Sequence, residues 1–144
     1  MKLKELMTTD VYSVTPDSSI KETAELMRKI NVGSIPVCEG RKPVGIITDR
    51  DIVIRNVAGN GNPNTPVRQI MTENPVCGTP EMSDDEAMNL MAEKQIRRLP
   101  VVEDGQLVGI VSLGDLAVNE MTDMEAARAL TDISVPSKPK GIQK

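Results

Sequence analysis

The feature that most constrains this chain is that it nearly repeats itself. Displaced by about 64 positions, Met7 falls on Met71, and the register holds without a gap until Asp51 falls on Asp115. About fifteen positions in that stretch are identical. MTTDVYSVTP lies over MTENPVCGTP, and IPVCEGRKPVGIITDRD lies over LPVVEDGQLVGIVSLGD. Such a chain folds as two like units, and a unit of about 60 residues buries little surface alone, so the two are expected to share a core.

Each copy predicts the same order of elements. After the turn residues of TPDSS, Ser19 and Glu22 form a capping box, repeated by Ser83 and Glu86, so a helix should begin at each serine. Ile20, Ala24, Met27 and Ile30 then share one helical face, which reads as core. Two β-rich runs follow, Ser34 to Cys38 and Val44 to Thr48, joined by the polar turn EGRKP. In the second copy Leu99 to Val102 and Leu107 to Ser112 flank Asp104-Gly105, a strong hairpin signal. Asp49 to Val57 and Leu113 to Glu120 read as a shorter second helix, and Val11 to Val14 and Pro75 to Gly78 as brief leading strands. The expected fold is α+β, a tandem of β-α-β-β-α units spanning residues 1–60 and 61–120, with a short helix and flexible tail over 121–144. AGNGNPNTP, residues 58–66, is the linker.

Composition narrows the function classes. There is no His, which removes the commonest general base and zinc ligand together. Cys38 and Cys77 form no C-x-x-C pair, so a metal knuckle or dithiol site is not expected, and no residue set supplies a positioned base and nucleophile. The chain therefore reads as non-enzymatic. The net charge of -4 and the near absence of aromatic residues, one Tyr with no Phe or Trp, argue against nucleic acid as partner. MKLKELMTTD places Glu5 and Asp10 where a signal peptide needs an apolar run, and no stretch approaches the roughly 20 apolar residues of a membrane span. A cytoplasmic protein without a membrane partner is the expectation.

The tandem M-T starts, the T-P before each first helix, I-P-V or L-P-V on the middle strand and G-I-I-T-x-x-D or G-I-V-S-x-x-D into the last helix resemble a cystathionine β-synthase (CBS) domain pair, or Bateman module. The resemblance spans about residues 1 to 120. It implies units packed through their sheets about a pseudo-twofold axis, homodimerisation, and clefts that bind AMP, ADP or ATP as regulatory ligand. S-adenosylmethionine is the less common alternative, and no cofactor is implied. An effector protein that reads the signal is not identified by the sequence.

Thr48-x-x-Asp51 and Ser112-x-x-Asp115 carry the chemistry a ribose needs, an ionised acceptor for its hydroxyls beside a hydroxyl side chain. The same spacing also caps a helix, although the box favours the longer Glu or Gln at its fourth position. The resemblance places adenine near Val14, Thr15, Val32, Ile35 and Pro36 in the first copy, and Thr79, Ile96, Leu99 and Pro100 in the second. The aliphatic members also read as strand core. Arg97 and Arg98 are the phosphate candidates, two guanidiniums able to chelate oxygens, where the first copy has Gly33-Ser34. Arg50 and Arg55 are weaker candidates. A ligand-free dimerisation or scaffold module, with the motifs serving only as caps, and an RNA-associated role are the alternatives.

Overall fold

The computed structural model describes residues 1–117 and 128. The expected tail helix and the end of the helix read to Glu120 lie outside the described residues. Helix α1 (Leu3–Leu6) is followed by α2 (Ile20–Ile30) and the hairpin β1 (Ser34–Glu39) and β2 (Lys42–Thr48). Helix α3 (Asp49–Asp51) continues as a π-helical turn over Ile52–Val57. Strand β3 (Thr72–Glu73), helix α4 (Asp84–Lys94), the hairpin β4 (Arg98–Glu103) and β5 (Gln106–Ser112), and helix α5 (Leu113–Ala117) complete the order. The architecture is α+β, with two small antiparallel sheets ordered β1-β2-β3 and β4-β5.

The sequence signals act locally as expected. Ser19 and Ser83 cap α2 and α4, each oxygen accepting from the amide of the glutamate three residues on. Both helices end on a left-handed residue, Asn31 (φ 56) and Gln95 (φ 54), where no glycine announces the stop. One face needs correction: Ala24 is exposed, and Thr23 is buried in its place beside Ile20 and Met27, its hydroxyl donating to Ser19 O at 2.9 Å. Each hairpin slips register at the same point, Val37/Cys38 and Val101/Val102. Asp104 and Gly105 both have positive φ, as their dipeptide demands. The leading strands shrink to single parallel bridges, Val14 with Val37 and Gly78 with Val101.

The third strand of the first sheet comes from elsewhere. Thr72 pairs with Ile46 of β2, and reciprocally Thr8 exchanges two 2.9 Å hydrogen bonds with Ile110 of β5. The Met-Thr segment that opens each copy is thus laid against the sheet of the other. Leu3 is fully buried in one core with Met88, Met91, Leu99 and Leu116, while Val67 and Ile70 are buried in the other with Ile35 and Ile47. The amide of Val67 donates to Ser18 O, and that of Ile20 to Thr65 O, both at 2.9 Å. Leu107 N donates to Arg41 O at 2.7 Å, joining the hairpin turn of the first half to the second hairpin.

This crossing explains the paired glycines of the last strand. A Cβ on Gly45 would stand 2.6 Å from Met71 Sδ, and one on Gly109 2.5 Å from Met7 Sδ. The glycines therefore make room for the crossing segment. Among the described residues no helix is long and apolar enough to cross a membrane.

Candidate functional site

The turns that end α2 and α4 and those that end β2 and β5 converge on one cleft of about 1090 Å³ between the halves. Corresponding positions of both halves line it: Ser34 and Arg98, Thr48 and Ser112, Arg50 and Gly114. Three guanidiniums, Arg50, Arg97 and Arg98, stand against one lining carboxylate, Asp49. A concave site with convergent polar groups and a surplus of cationic donors is suited to an anionic small molecule. A smaller slot of about 210 Å³, bordered by Tyr12, Val32, Ile35 and Pro36, shares Ser34 and Arg98 with the cleft.

The two aspartates do not line either cavity. Each closes a capping box in spite of its short side chain. Thr48 N donates to Asp51 Oδ2 and Asp51 N to Thr48 Oγ1, both at 3.0 Å. Ser112 N donates to Asp115 Oδ2 at 3.0 Å and Asp115 N to Ser112 Oγ at 3.1 Å. In each carboxylate the cap occupies Oδ2, and Asp51 Oδ1 lies 3.8 Å from Arg55 Nε. Arg55 is engaged structurally, donating to Ile70 O at 3.1 Å, so it helps hold the crossing segment.

The structure brings Thr48, Ser112, Ile96, Arg97 and Arg98 to the cleft, and Val32, Ile35 and Pro36 to the slot. It does not bring the remaining adenine candidates there. Val14 and Leu99 are core side chains, and Pro100 is buried on β4. Thr15 and Thr79 are exposed in the turns before α2 and α4, their carbonyls accepting from Ser18 and Met82. Sequence reasoning missed Tyr12, Asp10, Ser34, Asp49 and Gln95 as cavity residues. A position-by-position comparison of the copies could have flagged them, because several differ in charge or ring chemistry from their counterparts.

Other reactive groups lie in packed surroundings. Burial pushes the Cys38 thiol up, partly opposed by a hydrogen bond with Ser13, and burial likewise pushes Cys77 up. Among the described residues, no three of His, Cys, Asp or Glu gather where they could hold a metal ion.

The CBS domain family model matches residues 3–56 and 67–121, and the chain belongs to that family. It is 50% identical over 132 residues to the CBS domain-containing protein YhcV of Bacillus subtilis, covering 92% of this chain and 94% of that one. Its fold is similar to the crystal structure of Hypoxic Response Protein I with two coordinated zinc ions, with TM-score 0.76, 32% identity, and coverage of 81% and 97% of the two chains. It is also similar to the crystal structure of CBSX2 in complex with AMP, with TM-score 0.73, 25% identity, and coverage of 85% and 98%.

Proposed function

We propose that this chain is a regulatory module that binds an adenine nucleotide, AMP, ADP or ATP, in the cleft between its two halves and performs no catalysis. The observation that carries the reading is the cleft itself, built from corresponding turns of both repeats with Arg50, Arg97 and Arg98 converging on it. Family membership and the AMP complex of a relative support the choice of ligand. Thr48 and Ser112 offer hydroxyls in its lining for the ribose, whereas Asp51 and Asp115, the expected ribose acceptors, lie outside both cavities with their Oδ2 atoms held in the caps. Because the cleft spans both halves, a ligand that binds one relative arrangement of them better would shift the population toward it, which is what a sensor requires.

Calorimetry and thermal unfolding with AMP, ATP and S-adenosylmethionine test this reading. The expected result is saturable heat with an adenine nucleotide and a stabilisation of about 2.7 kcal/mol at a hundredfold excess over Kd. Absence of heat and of any thermal shift with all three, up to millimolar ligand, would defeat it.

A scaffold role has one observation in its favour. Val53, Ile54 and Val57 are each more than half exposed on the π-helical turn, an apolar group that a second copy of the chain would cover. Homodimerisation belongs to both readings. Sedimentation of the wild type and of Ile54→Asp checks it, with a dimer expected for the first and a monomer for the second.

A further inference from the structure

The two halves are alike in backbone and unlike in chemistry at the cleft. The turn that enters β1 and the turn that leaves β2 are joined by Asp49 N donating to Gly33 O at 2.9 Å, and the second half repeats this bond with Leu113 N donating to Arg97 O at 2.8 Å. At those same two positions the side chains are exchanged in kind. The first half has glycine and a carboxylate, while the second has a guanidinium and a buried leucine. A Cβ on Gly33 would stand 3.0 Å from Asp49 Oδ2, so the first corner has little room for any side chain and presents negative charge where the second presents Arg97. A phosphate is favoured at the second corner and repelled at the first.

The apolar end is equally one-sided. The slot beside β1 carries Tyr12 and Asp10. Their counterparts are Val76 and Asn74, and Val76 packs against the second core and offers no ring. Arg98 and Ser34 border both slot and cleft, so the two cavities adjoin at these residues. A nucleotide's two ends differ in the same sense. A base gains by stacking on the phenol ring, and an amino group on its edge can donate to Asp10, whereas phosphates placed beside Asp10 would meet like charge.

Resting on the nucleotide reading above, we propose that the halves have diverged into a base end and a phosphate end, so that each chain takes one nucleotide in one orientation. The base lies in the Tyr12 slot, and the phosphates lie on Arg97 and Arg98, with Arg50 lining the same cleft. Tyr12 is the residue that decides the orientation, and Arg97 is the one that fixes which corner holds charge.

The chain supplies its own reporter. It contains no His, Phe or Trp and a single Tyr, so the ring protons of Tyr12 are the protein's only aromatic side-chain CH signals in a proton NMR spectrum. Calorimetry gives the stoichiometry, and the spectrum shows whether the base reaches the slot. With ATP, one molecule per chain is expected, together with shifted Tyr12 ring signals and nuclear Overhauser contacts from them to the adenine protons. Inorganic tripolyphosphate is expected to bind, compete with ATP and leave the Tyr12 signals in place. Tyr12→Leu should weaken ATP by about tenfold, the scale of one lost base-aromatic stack, and leave tripolyphosphate affinity unchanged. Arg97→Gly, which installs the first half's residue, should weaken both.

Two ATP molecules per chain, or ATP binding with undisturbed Tyr12 signals, would overturn this inference while leaving nucleotide binding intact. Equal loss of ATP and tripolyphosphate binding in Tyr12→Leu, with the circular dichroism of the wild type retained, would also overturn it. No heat with ATP would remove both the inference and the reading it rests on.

Discussion

Gly109→Ala should destabilise the chain through a residue about a hundred positions away in sequence. The new methyl would stand 2.5 Å from Met7 Sδ, 2.8 Å from Met7 Cγ and 3.1 Å from Thr8 O. The first two contacts lie well inside van der Waals separation, so Met7 must leave its place against the second core, where it packs as a partly buried side chain. Overpacking of this kind costs about 1–3 kcal/mol. Alanine also narrows the unfolded ensemble, which returns about 0.4–1 kcal/mol. The net loss is about 1–2 kcal/mol, or a Tm lower by about 3–6 °C in a chain of this size. Met7→Ala removes the obstructing atoms and leaves only the 3.1 Å approach to Thr8 O. The double variant should therefore be more stable than the sum of the two single losses, with a coupling of about 1 kcal/mol. Urea unfolding of the four proteins in the cycle measures it. Additive losses within experimental error would refute the claim that the opening segment crosses to the second sheet.

Leu3→Ala tests the same crossing from the core side: Leu3 is fully buried, and its truncation should cost about 2–5 kcal/mol in urea unfolding, far more than a change in a frayed terminus would. Ser83→Ala deletes the oxygen that accepts from Glu86 N at 3.1 Å and should cost about 0.5–2 kcal/mol by the same measurement. The thiols give a pH dependence. Since burial raises both above their ordinary pKa, the native state favours the neutral form, so their contribution is intact below the unfolded-state pKa of about 8.5 and is lost as pH rises above it. The unfolding midpoint should fall more steeply above that pH in the wild type than in Cys38→Ala/Cys77→Ala, and parallel curves would refute it.

Much of the local structure was written in the sequence because the determining interactions span only a few residues. Ser19 and Ser83 start helices since their hydroxyls reach an amide three residues on, and Asp104-Gly105 closes a hairpin since both residues tolerate positive φ. The in-register repeat fixed the existence of two like units, and the motif set fixed the family. The capping role of Asp51 and Asp115 was also legible as one of two readings of a four-residue spacing.

What the sequence left open depended on contacts between distant segments. The exchange of Met-Thr segments leaves no local trace, because backbone pairing by Thr72 or Thr8 does not depend on side-chain type, and the choice of sheet goes with the burial of Leu3 and Val67 in the opposite cores. A glycine at positions 45 and 109 does not itself tell what comes close to it, and the crossing Met71 and Met7 are visible only in the packed structure. The cleft likewise exists only once both halves are placed, which is why Thr15 and Thr79 fell outside it while Asp49 came to its walls and Tyr12 to those of the neighbouring slot. Capping and turn chemistry are set by neighbours along the chain, whereas a cavity is the space left by non-neighbours, and its lining follows from their packing.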